Sequence, residues 1–390
     1  MRILVANDGF GDAGGVQVYL NAVVAALASR GHELALAYCT SDGAIENVGD
    51  TSRRLPRFRL AGPDAGAAFD AVRRWAPEIC YSHNMDDVEV DRTLARVAPI
   101  VKFMHGYFGT CIGGLKSHQF PTPIACERAY GLACAALYLP RRCGQLNPVR
   151  FFRQWRVAES HRSVRDVYSA IVVASEHMRR EYVRSGISPD RVRTNPLFPS
   201  GPLATEVSPA PAVPHVVFLG RMTALKGGDL LIRAVTEAAG RLGRALRLTM
   251  IGDGPARGDW EALARRLGVA CVFTGWRSGC DRWTPLRDAS VVAIPSIWPE
   301  PFGLVGLEAG ALGVPAVATA VGGIGEWLRD GVNGVAVPAP AAPQSFGRAL
   351  ADALADAARL ARLRDGAYRI AREMTLDRHV DRLEAVFARC

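Results

Sequence analysis

Apolar residues in this chain gather in short unbroken runs, separated by stretches in which apolar positions recur every three or four residues. The runs lack the alternation of a strand with one wet face, so they predict parallel strands covered on both sides by the amphipathic helices between them. In the first half, residues 2–6, 33–38, 78–82, 99–104 and 170–174 read as strands, with helices near 66–75, 87–96, 150–168 and 176–185. An amphipathic helix also runs to about Arg30. In the second half, strands are expected at 215–220, 246–252, 270–275, 291–295, 315–319 and 334–337, with helices at 228–240, 259–267 and 303–312. Ala-rich helices over 343–364 and 365–390 close the chain. Strand and helix alternating in this way predict an α/β fold of two doubly wound parallel sheets.

The 390 residues exceed what one core usually supports. The break is legible where Pro196, Pro199, Pro202, Pro209, Pro211 and Pro214 sit among small residues. The expected organisation is an N-terminal domain over 1–198 carrying an irregular insertion at 106–150, a linker at 199–214, a second domain at 215–374, and a helix at 375–390 that packs back on the first domain. Two such units leave a cleft between them, a preferred place for ligands.

The densest chemistry follows the run at 291–295, in the stretch Ser296 to Ala309. Glu300 falls in a loop and Glu308 about a turn into the next helix, while the amides of Phe302, Gly303, Leu304 and Val305 lie at that helix's N-terminus. Free amides at the positive end of a helix suit a phosphate, and flanking carboxylates suit hydroxyls. Acids near a helix N-terminus also stabilise it with no ligand at all, and both readings stay open. After the strand at 215–220, Arg221 and Lys226 place two cations in one loop, a fork and a point charge suited to a diphosphate. His105-Gly106 ends the strand at 99–104, on the edge where open α/β sheets bind ligands. The first loop holds Gly9-x-Gly11-x-x-Gly14, with Asp42 after the following strand. This is a dinucleotide fingerprint by spacing, and equally a turn or a phosphate cradle.

Composition narrows this only a little. Hydrophobic residues make up 49% and charged residues 22%, as in ordinary globular proteins. The net charge of +9 is spread along the chain and is nearly all arginine, with lysine only at Lys102, Lys116 and Lys226, which argues against nucleic-acid binding. No apolar run is long enough to span a membrane, and a strand begins at Arg2 without a signal-peptide layout, so a cytoplasmic protein is expected. One basic and aromatic concentration, Arg141, Arg142, Arg150, Arg153, Arg156, Arg162 and Arg165 with Phe151, Phe152 and Trp155, reads either as a peripheral membrane or lipid-phosphate surface or as a solvated helix face with inward aromatics. Of nine cysteines, Cys111, Cys126, Cys134 and Cys143 share the insertion. Their spacing lacks the paired Cys-x2-Cys of common zinc sites, leaving a structural metal, disulfides or plain packing thiols open.

Taken together, Gly14-Gly15, His105-Gly106, Gly220-Arg221 with Lys226-Gly227, Trp298 to Leu304 with Glu308-Ala309, and Val321 to Ile324 with Glu326 resemble the retaining glycosyltransferases of family 4. The resemblance implies a GT-B fold, two Rossmann-like domains facing a cleft, and transfer of a hexosyl unit from a UDP- or GDP-linked sugar to a hydroxyl acceptor. It implies that Arg221 and Lys226 neutralise the diphosphate and that the amides of Phe302 to Val305 hold the distal phosphate. Glu308 would accept ribose hydroxyls and Glu300 those of the sugar, while His105, with Gly14 and Gly15 nearby, would approach the donor from the first domain. No cofactor or catalytic metal is required on this reading, and no Asp-x-Asp metal motif opposes it. Rivals are an NAD(P)-dependent oxidoreductase using Gly9, Gly11, Gly14 and Asp42, and a non-catalytic nucleotide-sugar-binding protein.

Overall fold

The computed structural model describes residues 1–390 except 11–13, 41–49, 206, 208, 210 and 278, and the side chains of Asp50 and Cys280. The chain divides into two compact units, one of 1–116, 127–200 and 376–390, the other of 117–126 and 201–375.

The first unit contains β1 (Arg2–Ala6), β2 (Glu33–Tyr38), β3 (Arg57–Arg59), β4 (Ile79–Ser82) and β5 (Ile100–Met104). A short hairpin, β6 (Ser117–His118) and β7 (Ile124–Ala125), follows and groups with the second unit, although it lies inside the insertion assigned from the sequence to the first domain. Strands β8 (Ala170–Val173) and β9 (Val192–Thr194) complete a seven-stranded sheet in the order β3-β2-β1-β4-β5-β8-β9. All its pairings are parallel. The edge strands β3 and β9 were not legible, because three residues reading Arg57-Phe58-Arg59 or Val192-Arg193-Thr194 show no apolar run. The helices here are α1 (Gly15–Ser29), α2 (Asp50–Arg53), α3 (Ala65–Trp75), α4 (Val88–Leu94), α5 (Leu132–Tyr138), α6 (Pro148–Ser163) and α7 (Glu176–Arg184).

The second unit places β10 (His215–Leu219), β11 (Arg247–Ile251), β12 (Cys271–Gly275), β13 (Val291–Ile294), β14 (Ala316–Thr319) and β15 (Gly334–Val337) in the order β12-β11-β10-β13-β14-β15. That order, third-second-first-fourth-fifth-sixth, is that of a doubly wound dinucleotide-type sheet, whose strand order reverses between its first and fourth strands. Its helices are α8 (Gly228–Leu242), α9 (Arg257–Arg266), α10 (Trp283–Arg287), α11 (Leu304–Ala311), α12 (Pro343–Leu354) and α13 (Ala357–Glu373). The sequence pattern suggested one helix over 343–364, but Asp356 caps the amides of Ala358 and Arg359, so the chain leaves one helix and starts another.

The last helix, α14 (Leu376–Phe387), belongs to the first unit. It is tied there by His379, buried and flanked by Tyr19 and Phe198. His379 Nδ1 donates to the Pro196 carbonyl at 2.8 Å, so its Nε2 accepts from the Tyr19 hydroxyl at 2.8 Å, and Tyr19 pairs with the Tyr81 hydroxyl at 2.6 Å. At the rim, Arg30 holds Asp381 at 2.6 Å and Glu384 at 2.9 Å.

Beneath the sheet of the first unit lies a fully buried ion pair, Lys102 Nζ on Asp91 Oδ2 at 2.6 Å. Ser82 and Tyr168 hydroxyls donate to the same carboxylate at 2.6 and 2.8 Å, so the lone pairs left by desolvation are satisfied.

Candidate active site

The reversal of strand order in the second unit sets the site. β10 lies beside β13, so the loops leaving their C-terminal ends are neighbours although they are far apart in the chain. The two loops are stitched by backbone: Ile297 N donates to Leu225 O at 2.8 Å, and Gly227 sits where a Cβ would lie 2.1 Å from Pro295 O, at φ +67. Only glycine satisfies both conditions. As a result Lys226 Nζ meets Glu300 Oε1 at 2.6 Å, and Ser296 Oγ donates to that oxygen at 2.6 Å. Lys226 also lies over the Trp298 ring at 5.3 Å. Arg221, from the same loop, is exposed and makes no ion pair among the described residues.

Glu300 is held from behind as well. Gly323 N donates to its carbonyl at 2.6 Å, and Gly322, at φ +59, would place a Cβ 2.3 Å from that carbonyl. Phe302 is buried, and Gly303, in the left-handed region, caps α11, so the chain turns sharply enough to present the amides at Leu304 and Val305 from the helix start. The helix is fixed by Trp327, 1% exposed, whose Nε1 donates to Phe302 O at 2.9 Å. A Cβ on Gly306 would lie 2.0 Å from that indole. Glu308, one turn in and buried, lies 3.5 Å from Arg282 Nη2.

In the first unit, His105 follows β5 as expected, and its Nε2 lies 3.0 Å from His83 Nδ1. His83 Nε2 is buried with no partner. A bare lone pair there costs less than an orphaned N–H, so we assign the proton to His83 Nδ1 as donor; His105 then carries its own on Nδ1. Burial, with Lys102 and His379 adding to it, lowers the His105 pKa to about 3, so the ring is a neutral hydrogen-bonding group at pH 7. Gly14 caps α1 at φ +110 and Gly15 is its first residue.

Four residues that hold this site escaped the sequence reading of its chemistry: Ser296, Gly322 as a backbone cradle, Trp327 and Arg282. Ser296 and Trp327 adjoin motif residues, which is their only signal; Arg282 has none.

Of the three readings open for the cysteines, the structure fits plain thiols. Cys111, Cys126, Cys134 and Cys143 are free thiols, and among the described residues no group of His, Cys, Asp or Glu could hold a metal. Cys126 groups with the second unit and the other three with the first, and the Sγ of Cys134 and of Cys143 donates to a local carbonyl. The insertion is clamped instead by buried Lys116, paired with Glu181 at 2.5 Å and donating to Arg128 O at 2.7 Å. Gly113 adds to this by packing where a Cβ would lie 2.4 Å from Cys143 O. Of the aromatic cluster, Phe151 packs on Tyr138 while Phe152 stays exposed.

Comparison with known proteins bears on the whole chain. A family profile described as Glycosyltransferase Family 4 matches residues 13–197, and one described as Glycosyl transferases group 1 matches residues 208–370. Relatives include a D-inositol 3-phosphate glycosyltransferase of Nocardia farcinica, 29% identical over 85% of this chain and 75% of its own length. Another of that name, from Xylanimonas cellulosilytica, is 29% identical over 97% and 93%. Among solved structures, HepE of Anabaena in complex with UDP aligns over 100% of both chains with a TM-score of 0.70 at 17% identity, a likeness of fold, here GT-B. The oxidoreductase reading falls with these matches; two of its residues, Gly11 and Asp42, lie outside the described residues. Matched by these two profiles over most of its length, the chain belongs to glycosyltransferase family 4 and is a glycosyltransferase.

Proposed function

We propose that this chain moves a hexosyl unit from a UDP- or GDP-linked sugar to a hydroxyl of a glycan, lipid-linked saccharide or small molecule, with retention at the anomeric carbon and without a metal ion. The observation that carries it is the meeting of Lys226 with Glu300 beside the N-terminus of α11, at the reversal of strand order. Cation and amides suit phosphates, and the carboxylate suits sugar hydroxyls. HepE, of the same fold, holds UDP. Lys226 and Arg221 take the diphosphate, the amides near Gly303 its distal phosphate, Glu300 the sugar and Glu308 the ribose. His105 offers a neutral N–H donor, and Gly14 and Gly15 a loop without side chains.

In the transfer, the bond from the anomeric carbon to the diphosphate oxygen breaks and the nucleoside diphosphate leaves with its electrons. The acceptor oxygen bonds the anomeric carbon on the same face, and its proton passes to the departing phosphate. Charge grows on that phosphate, so preorganised cations act most strongly in the transition state. An ammonium shared between Glu300 and a diphosphate serves both ends of the breaking bond. A cytoplasmic location is part of this proposal. Among the described residues no helix is long and apolar enough to cross a membrane. Exposed Val149 and Phe152 beside Arg150, Arg153 and Arg156 support the reading of α6 as a surface for peripheral membrane contact.

Thermal unfolding tests the donor class. UDP or GDP at about a hundred times its Kd is expected to add about 2.7 kcal/mol of stability, and NAD nothing; stabilisation by NAD alone would overturn the reading. EDTA is expected to leave transfer intact, and activity that vanished with EDTA and returned with Mg²⁺ or Mn²⁺ would refute the metal-free step.

The two glutamates should separate kinetically. Glu308→Gln removes an interaction made equally in ground and transition states and is expected to raise KM for the donor; Glu300→Gln acts where charge changes and is expected to lower kcat while nucleoside diphosphate binding survives. Calorimetry with the free diphosphate decides, since it removes the sugar. Equal loss of diphosphate affinity in both variants, or no kinetic change in either, would return both carboxylates to the role of helix-terminus stabilisers.

A further inference from the structure

Within the first unit, a cavity of about 440 Å³ opens between the face of α6 that carries Arg150, Arg153, Gln154, Val157 and Ala158 and the segment Phe108 to Gly114. Gly109, Gly113 and Gly114 line it, and at Gly114 an added Cβ would meet nothing within 4 Å. Its polar wall is Arg150, Arg153, Gln145, Gln154 and His161, with no carboxylate. Among the described residues neither arginine is ion-paired; Arg150 donates only to the amide oxygen of Gln145. Elsewhere in this unit arginines do find acids, as Arg92 does with Glu89 and Arg191 with Asp166, whereas the two unpaired guanidiniums leave uncompensated charge at the cavity. His161 Nδ1 is buried there without a hydrogen-bond partner.

A second cavity, of about 110 Å³, shares Phe108 and His161 with the first and is lined further by His83, Asp86 and Lys102. Lys102 brings no free charge, because it is committed to Asp91 at 2.6 Å. The polarity is therefore graded: cationic and hydrogen-bonding under α6, then, past Phe108, a carboxylate and the His83 ring that hydrogen-bonds His105. An anion is drawn to the first end and repelled from the second by Asp86, whereas hydroxyls suit the second.

We propose that the cavity beneath α6 is the subsite for the phosphate of a phosphorylated hydroxyl acceptor, bound by the guanidiniums of Arg150 and Arg153, with the acceptor's hydroxyl end directed past Phe108 toward His83 and His105. Arginine forks match phosphate oxygens in pairs, and Gln145 and Gln154 add neutral donors beside them. The inference rests on the transfer reading, and names its acceptor class.

The probe is inorganic phosphate, followed by phosphorus NMR on the full chain as wild type, Arg150→Gln/Arg153→Gln, Arg150→Lys/Arg153→Lys, Arg221→Gln, and the control Arg141→Gln/Arg156→Gln, whose arginines belong to the same basic stretch but do not line the cavity. The expected result is two phosphate sites in the wild type, one of them weakened at least tenfold in the double Gln variant, partly retained in the double Lys variant, and untouched in the control and in Arg221→Gln. Both substituted arginines are exposed, so the thermal midpoint should not move. Phosphate binding by the double Gln variant equal to wild type, or an equal loss in the control, overturns the proposal, the second outcome meaning diffuse surface charge. The transfer reading fails separately, if UDP and GDP do not stabilise the wild type while the phosphate result stands. Two arms identify the source. Sedimentation with phosphatidylglycerol vesicles lost in the double Gln variant, with weak glycerol 3-phosphate binding, indicates a lipid-borne phosphate; tight glycerol 3-phosphate binding without sedimentation indicates a soluble acceptor. Neither response overturns the proposal.

Discussion

Lys226→Ala should lower kcat by about 10²-fold or more while leaving the fold intact. The fall follows from where the ammonium sits: it touches Glu300 at 2.6 Å and lies in the loop that resemblance assigns to the diphosphate, so it acts on charge that grows as the bond breaks. Removal of one preorganised donor typically costs about 10² to 10³ in kcat. The stability term is smaller. Breaking a fully buried ion pair costs about 3–5 kcal/mol, but the Lys226 side chain is 26% exposed, and Glu300 keeps the Ser296 hydroxyl. A loss nearer the ~1 kcal/mol of exposed pairs is expected. Steady-state kinetics beside a thermal melt separate the two terms, and wild-type turnover in the variant would remove Lys226 from the chemistry. An unfolded variant would show instead that the Lys226–Glu300 contact is structural first.

Trp327→Ala is expected to destabilise the second unit by about 3–5 kcal/mol, the range for deleting a large buried aromatic. That is a large share of the ~5–15 kcal/mol that holds a typical domain together. The indole fills the space left by Gly306 and donates to the Phe302 carbonyl, so its loss opens a cavity and leaves a buried acceptor unpaired. Donor affinity should fall with stability, because the amides of α11 lose their backing. Trp327→Phe restores most of the volume but not the N–H and should lie between the two. A melt and a donor titration unchanged in Trp327→Ala would mean that the Glu300–Glu308 element is held by its own turn alone.

Much of this was legible in the sequence for a physical reason. Strands covered on both faces must be continuously apolar, and the helices that cover them must be amphipathic, so the pattern named nearly every central element and the α/β class. It failed where local signal is weak: β3 and β9 are short and polar at the sheet edges, and the break at Asp356 depends on a cap that interrupts an otherwise unbroken Ala-rich run. Arg221, Lys226, Glu300 and Glu308 were named because glycines, charges and helix starts at fixed spacing carry their own chemistry.

What the sequence determined by itself is therefore local: the alternation of elements, the loop that carries each charge, and the family, through motifs that keep their spacing along the chain. Tertiary structure decided which of those loops meet. Lys226 and Glu300 are 74 residues apart, and only strand order, which sets β13 against β10, brings them to 2.6 Å. Arg282 on Glu308 and Trp327 on Gly306 are likewise contacts between segments that share no local pattern. The cysteines show the converse, since four residues close in sequence form no metal-holding group among the described residues. Periodicity records what each segment buries, whereas pairing across the fold is fixed by the order of strands, which no single segment encodes.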